Sequence, residues 1–235
     1  LHSQTVAPSP TLGCVGGSRM DDISRYLKCY DSPMVSLAPR IYQAGQVYNV
    51  DPRLIVALAG AASNFGREGI CARQRNNPWA YREKGSECQS FRRPEDALEA
   101  VALALWDRIH RQDIRDLENL VQPLCLTGCA DWVQRVSRFL QEQDVRGTGF
   151  RFTDTGQQIP STETLRIGDP VRVVTRNLRV RKGPGTSFDI LGSVSPPETG
   201  IVVAGPVARD GYRWWAVRYE KGLVGWSIEG GLSPA

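Results

Sequence analysis

The fold is decided first by residues 51–66, which read DPRLIVALAGAASNFG. Asp51 offers a side-chain acceptor for an N-cap, and Pro52 fits the first helical turn because its missing N–H costs nothing there. The apolar side chains that follow recur at helical spacing. We therefore predict a helix over 52–65, in which Ala62 falls on the apolar, inward face.

Helical periodicity continues on both sides of this stretch, so residues 21–145 are predicted to be all-α, with about five helices. Residues 66–93 show no sustained period and are predicted to form a long loop closed by Cys71 and Cys88. The further helical segments are 21–30, 32–48, 94–111, 113–121 and 130–142.

The period changes to two in the last third of the chain, which is typical of short strands separated by Gly and Pro turns and indicates a small barrel. The predicted strands are 171–175, 178–181, 190–194, 200–204, 214–219 and 224–228. The predicted organisation is a flexible tail (1–20), an all-α domain (21–145), a linker (146–164) and an all-β barrel (165–235).

Composition agrees with two soluble domains, because 235 residues exceed the usual size of one. Apolar residues make up 41% and charged residues 23%, and no run approaches the ~20 apolar residues of a membrane span. We expect no membrane insertion. Residues 165–235 hold ten Lys and Arg against six Asp and Glu, which suits an anionic polymer such as a bacterial wall. A solvated surface with no partner is the alternative.

The cysteines all lie in the first 130 residues, and local closure favours three disulfides. A zinc site is the competing interpretation, but no C-x2-C pair is present and the two histidines lie far away in sequence. We therefore expect no metal and no cofactor, and a secreted or periplasmic protein whose secretion signal has been removed or is not included in this sequence. The predicted pairs are Cys14–Cys29, Cys71–Cys88 and Cys125–Cys129.

Three motifs of the last third, NLRVRKGPGTS (177–187), DGYRWWAVRY (210–219) and GLVGW (222–226), resemble those of a bacterial SH3-type wall-binding domain. The resemblance implies binding of wall peptides or glycans, for which aromatic faces and arginine donors are suitable groups. Packing inside the barrel is the alternative for each aromatic residue. The candidate wall-binding residues are Arg181, Trp214, Tyr219 and Trp226.

Two N-terminal motifs, YNVDPRL (48–54) and RNNPWAY (75–81), flank the first helix quoted above. Together with that helix they resemble bacterial glucosaminidase and lysozyme-like glycoside hydrolases. The helix of that family reads about A-x-A-G-x-E-S-x-F-G, and its glutamate protonates the glycosidic oxygen. In this chain that position is Ala62. A glutamate there would border an apolar wall, which raises a carboxyl pKa as a general acid requires.

The same resemblance implies a glycan cleft lined by Asn77, Trp79 and Tyr81, with Ser63 beside it. Amides can hydrogen-bond N-acetyl groups, and an indole can stack on a pyranose ring. The alternative is that Asn-Asn-Pro is simply a turn.

Glycosidases ordinarily use two carboxylates, about 5 Å apart or about 6.5–9.5 Å apart according to mechanism. Glu83 and Glu87 are candidates for a base that activates water, with exposed loop charges as the alternative. Loss of the general acid alone removes a factor of about 10² to 10⁴ in rate.

The resemblances thus imply a secreted, wall-associated glycoside hydrolase of the peptidoglycan glucosaminidase or muramidase type, inactivated by Ala62. The alternative is a non-enzymatic protein that binds peptidoglycan or another glycan. A wall amidase is disfavoured because neither a Cys/His nucleophile pair nor a zinc triad is visible. The expected partner is peptidoglycan or a related N-acetylglucosamine-containing glycan, with no nucleic acid, and the expected state is a monomer.

Overall fold

The structure is a computed structural model, which describes residues 16–83, 85, 87–121, 124–125, 129–144, 151–153 and 165–235. Most of the predicted tail and linker, and Cys14, lie outside these residues. The helices are α1 (Met20–Cys29), α2 (Ala38–Tyr48), α3 (Pro52–Ser63), α4 (Ile70–Arg75), α5 (Pro94–Trp106), α6 (Leu117–Val121) and α7 (Cys129–Gln143). A 3-10 turn (Pro33–Leu37) precedes α2, and a π-turn (Asp107–Arg111) continues α5.

Helix α3 forms as its sequence predicts. The Asp51 carboxylate accepts a 2.8 Å hydrogen bond from the Arg53 N–H, and the helix ends at Asn64, whose φ of +48° is left-handed. Every residue of α3 is buried except Ala62, which is partly exposed. This helix is therefore the central element of the helical part.

Six of the seven strands overlap the predicted ones, and the last, short strand was not predicted. All seven form one antiparallel sheet in the order β3-β2-β6-β5-β4-β1-β7. A 3-10 turn at Glu229–Gly231 separates the last two strands. The strands are β1 (Pro170–Val173), β2 (Leu178–Arg181), β3 (Ile190–Val194), β4 (Thr199–Arg209), β5 (Tyr212–Tyr219), β6 (Val224–Ile228) and β7 (Leu232–Pro234).

The prediction of an all-α domain beside a separate small barrel was wrong. The described residues form a mixed α/β structure, in which seven helices accompany one seven-stranded antiparallel sheet. Strand β5 shows why, because its successive side chains Trp214, Trp215, Ala216 and Val217 are all buried. Since neighbouring strand residues point to opposite faces, both faces of the sheet are covered at this strand.

One face of the sheet packs against the helices, and the other encloses a second core. Trp214 and Ala216 belong to the same apolar cluster as the helical core, whereas Trp215 and Val217 belong to the second cluster. Periodicity in the sequence indicates which residues of a strand turn inward, but it does not show which element they meet. The helices and the sheet therefore share a core that the sequence pattern had not indicated.

Polar contacts reinforce the junction between helices and sheet. The Asn49 amide donates to the Val203 carbonyl at 3.2 Å, and the Arg218 guanidinium donates to the His110 carbonyl at 3.0 Å. Together with the shared core, these bonds fix the sheet against α2 and the π-turn.

Two predicted disulfides are confirmed, Cys71–Cys88 and Cys125–Cys129, with Cα atoms 6.0 and 5.6 Å apart. Cys29 is also disulfide-bonded, while its predicted partner lies outside the described residues. The two described disulfides are compatible with an extracellular location. Within the described residues, none of the helices has the length and apolar character to cross a membrane.

Candidate functional site

Ala62 lies in the last turn of α3 and is the only residue of that helix that is not buried. The loop that follows α4 is anchored beside this turn, because the Ser63 hydroxyl donates to the Pro78 carbonyl at 2.6 Å. The Ser63 Oγ also accepts a hydrogen bond from the Gly66 N–H at 2.8 Å. Ser63 is buried, so its hydroxyl holds the loop and the helix end together.

Trp79 is buried along the side of α3. Its indole N–H donates to the Ile55 carbonyl at 2.9 Å, and only 2% of the residue is exposed. The ring therefore packs between the loop and the helix, and its faces are not open to a sugar.

Asn77 shapes the loop. Its amide nitrogen donates to the carbonyls of Tyr81 and Gln89 at 2.9 and 2.8 Å, and its amide oxygen accepts from the Tyr81 N–H at 2.9 Å. The residue is fully buried. Because these bonds go to main-chain groups, Asn77 sets the position of Tyr81 and does not itself face solvent.

Tyr81 leads from this loop into an open groove of about 780 Å³ between the helices and the sheet. It is partly exposed, and burial, followed by the nearby charges of Glu83 and Asp107, raises the pKa of its hydroxyl. The groove is lined by Tyr81, Arg82, Glu83, Gln89, Asp96, Glu99, Ala100, Leu103, Ala104, Asp107, Arg108, Gln112, Leu124, Lys182, Ser187, Phe188, Asp189 and Arg209.

The two candidate carboxylates are placed differently. Glu83 lines the groove and is exposed at its rim. Glu87 is not among the lining residues, and its side chain is 80% exposed and ion-paired with Arg75 at 3.0 Å. The groove thus brings together Tyr81 and Glu83 from the predicted set.

The wall-binding candidates of the sheet are buried. Arg181 donates to the Phe188 carbonyl at 2.7 Å, and the Trp214 indole donates to the Arg209 carbonyl at 3.0 Å. These two side chains support the loop after β2 and the end of β4. They belong to the structure of the sheet.

Tyr219 and Trp226 are also interior residues. The Tyr219 hydroxyl donates to the Ser227 hydroxyl at 2.8 Å, and Trp226 packs against the helices. By contrast, Tyr212 is 49% exposed, so it presents an aromatic ring to solvent.

Arg82 and Arg108 are among the groove residues that were not anticipated from the sequence. One lies in the stapled loop and the other in the π-turn, and no motif or spacing links them. The Arg82 guanidinium donates to the Leu124 carbonyl, and that of Arg108 donates to the Leu120 carbonyl. Only the folded chain brings both of them to one groove.

Burial lowers the pKa of both guanidiniums, because desolvation disfavours the charged form. An arginine nevertheless stays protonated near neutral pH. The groove therefore contains cationic donors able to bind an anion. Within the described residues, no cluster of three His, Cys, Asp or Glu is placed to hold a metal ion.

No known family model matches this chain, and none of the curated proteins matches it.

Proposed function

We propose that this chain binds a β-1,4-linked glycan containing N-acetylglucosamine, of the peptidoglycan type, without hydrolysing it effectively. It would act outside the cell, at the bacterial wall. The proposal draws on the resemblance of residues 48–81 to glucosaminidases and lysozyme-like hydrolases, stated above from the sequence.

One observation carries the proposal, the exposure of Ala62 in a helix that is otherwise buried. A general acid must border both the apolar helix wall and the ligand, and the partial exposure of Ala62 supports such a role for position 62, although Ala62 is not among the residues that line the groove. The neighbouring loop supplies Tyr81 to the groove. A partly exposed phenol can stack on a sugar ring and hydrogen-bond to its hydroxyls.

Hydrolysis is not expected, because a methyl group has no proton to give to the leaving oxygen. Removal of general acid catalysis costs about 10² to 10⁴ in rate. Residual cleavage is the second candidate function, and it rests on Glu83, whose carboxylate lines the groove beside Tyr81.

The first test is binding to purified, insoluble peptidoglycan and to chitin, measured by co-sedimentation of the full chain. Tyr81→Ala should weaken glycan binding about tenfold, whereas Tyr212→Ala, which removes an exposed tyrosine outside the groove, should not. Absence of binding to both polymers would refute the proposed function.

The second test restores the acid. Ala62→Glu should release soluble fragments from peptidoglycan at least 100-fold faster than the parent chain, while Ala62→Gln, of the same size but without an acid, should not. Equal rates for the Glu and Gln variants, with both folded, would refute the assignment of position 62.

A further inference from the structure

We infer that Arg82 and Arg108 form a carboxylate-binding subsite in the groove, so that the preferred glycan carries carboxylates on its sugars. This inference rests on the proposed function and names the class of glycan, a polyanionic strand in preference to neutral chitin.

The two guanidiniums are hydrogen-bonded to one short segment of the chain. Arg82 donates to the Leu124 carbonyl at 3.1 Å, and Arg108 donates to the Leu120 carbonyl at 2.9 Å. Those acceptors are only four residues apart in the chain, which limits their separation to roughly 14 Å. Both arginines line the same groove.

Neither guanidinium is neutralised by an ion pair within the described residues. Their hydrogen bonds go to main-chain carbonyls, and Arg108 has a further one to the Asn119 carbonyl. The nearest acid in sequence, Asp107, is ion-paired with Arg111 and also accepts from Gln112. Both guanidiniums are therefore held by main-chain carbonyls and form no ion pair within the described residues, while the nearby charge of Asp107 acts on Arg108.

Two other acids of the groove are paired with other arginines. Asp96 is paired with Arg93, and Glu99 is paired with Arg209. These two acids are already engaged.

Glu83, Asp189 and Lys182 remain, and all three are exposed, where water and salt weaken their interactions. Of the charged groove residues that form no ion pair within the described part of the chain, only Arg82 and Arg108 are partly buried, and both are positive. Partly desolvated cations attract anions more strongly than exposed ones do.

A carboxylate suits these donors because a guanidinium presents parallel N–H groups that match its two oxygens. The partly exposed ring of Tyr81 lines the same groove and suits a sugar. A sugar that bears a carboxylate satisfies both features with one ligand.

The ligand arm of the test leaves the protein unchanged. Titration calorimetry would compare peptide-free glycan strands bearing free lactyl carboxylates, the same strands with those groups converted to methylamides, and chitin oligomers of equal length. We expect 10- to 100-fold weaker binding of the amide and chitin ligands, since hydrogen bonds to charged groups contribute about 1.5–3 kcal/mol.

The protein arm uses Arg82→Gln and Arg108→Gln, each expected to weaken binding of the carboxylate strand at least tenfold and to leave chitin binding unchanged. Arg115→Gln is the matched control, because Arg115 is exposed, paired with Asp113 and outside the lining of the groove. Since Arg108 also holds carbonyls of α6, the melting temperature of each variant is measured with its affinity.

Equal affinity of the wild-type chain for all three ligands would overturn the carboxylate subsite and leave glycan binding standing. Binding to none of them, nor to insoluble peptidoglycan, would overturn the proposed function itself.

Discussion

The indole rings of Trp106 and Trp226 lie with their centroids 5.2 Å apart and their planes at 54°, so that α5 and β6 meet directly. Tyr48 from α2 contacts the same Trp226 ring edge-on at 5.8 Å. Such aromatic pairs stabilise beyond the area they bury. The helical part and the sheet are thus joined by a continuous apolar contact.

Replacement of this central ring should destabilise the whole described structure. Trp226→Ala removes a fully buried indole, and we expect the free energy of unfolding to fall by about 3–5 kcal/mol. Chemical denaturation followed by far-UV circular dichroism and by tryptophan fluorescence measures it. Tyr212→Ala, at an exposed ring, should change the stability by less than about 0.5 kcal/mol. A parent chain whose sheet and helices unfold in two well-separated transitions would contradict the shared core.

Asn77 should stabilise the loop that carries Tyr81. Asn77→Ala removes the side-chain donor to the Gln89 carbonyl and the acceptor of the Tyr81 N–H, and we expect a loss of about 1–3 kcal/mol in stability. Glycan affinity should fall with it, because Tyr81 loses its fixed position. Gln74→Ala, at an exposed site in α4, is the control, and thermal melting with calorimetry measures both effects. An unchanged melting temperature in Asn77→Ala would show that the loop does not depend on this amide.

The Cys71–Cys88 disulfide closes the loop that lines one side of the groove. Replacing both cysteines with serine should cost about 3 kcal/mol, from the chain entropy of a loop with a sequence separation of 17. The Cys125–Cys129 pair has a sequence separation of 4, and the same double replacement there should cost only about 2 kcal/mol. Denaturation of both variants tests this order. A larger loss of stability on removing Cys125–Cys129 would show that loop entropy is not the main source of the stabilisation by these disulfides.

Acidification should weaken the junction through His110. This side chain is buried, its Nε2 lies 2.9 Å from the Asn49 carbonyl oxygen, and burial lowers its pKa to about 4. The unfolded chain has a histidine pKa near 6.5 and therefore binds the proton more readily. The contribution of neutral, buried His110 to the free energy of unfolding is complete above about pH 6.5. It is lost as the pH falls toward 4, by up to about 3 kcal/mol.

The measurement is the free energy of unfolding between pH 4 and 7, for the parent chain and for His110→Gln, which cannot titrate. His2→Gln, at the other histidine of the sequence, is the control. The slope with pH should diminish in the first variant and persist in the second. Equal slopes in all three proteins would remove His110 as the cause.

Local structure was accessible from the sequence because it depends on nearby residues. The Asp51-Pro52 start of α3 is confirmed by the cap that Asp51 forms. The change from helical period to alternation near residue 165 likewise indicated the strands, and the spacing of Cys71 and Cys88 indicated their bond.

The roles of individual side chains were harder to predict from the sequence. Trp79 and Trp226 have the residue type expected of a sugar-binding platform, yet both are buried. Residue type gives the chemistry a side chain can perform, and only packing decides whether solvent can reach it. Arg82 and Arg108 show the converse, since nothing in their spacing linked them to one groove.

The sequence by itself determined most of the helices and strands, two of the disulfides and the alanine at position 62, because each depends on local spacing or on residue identity. Helix α4, which lies in the predicted loop 66–93, and strand β7 were not predicted. The tertiary structure decided that the sheet packs on the helices and that a groove forms between them. The physical reason is that burial of an apolar face is favourable against any complementary surface, so hydrophobic pattern alone does not select the partner.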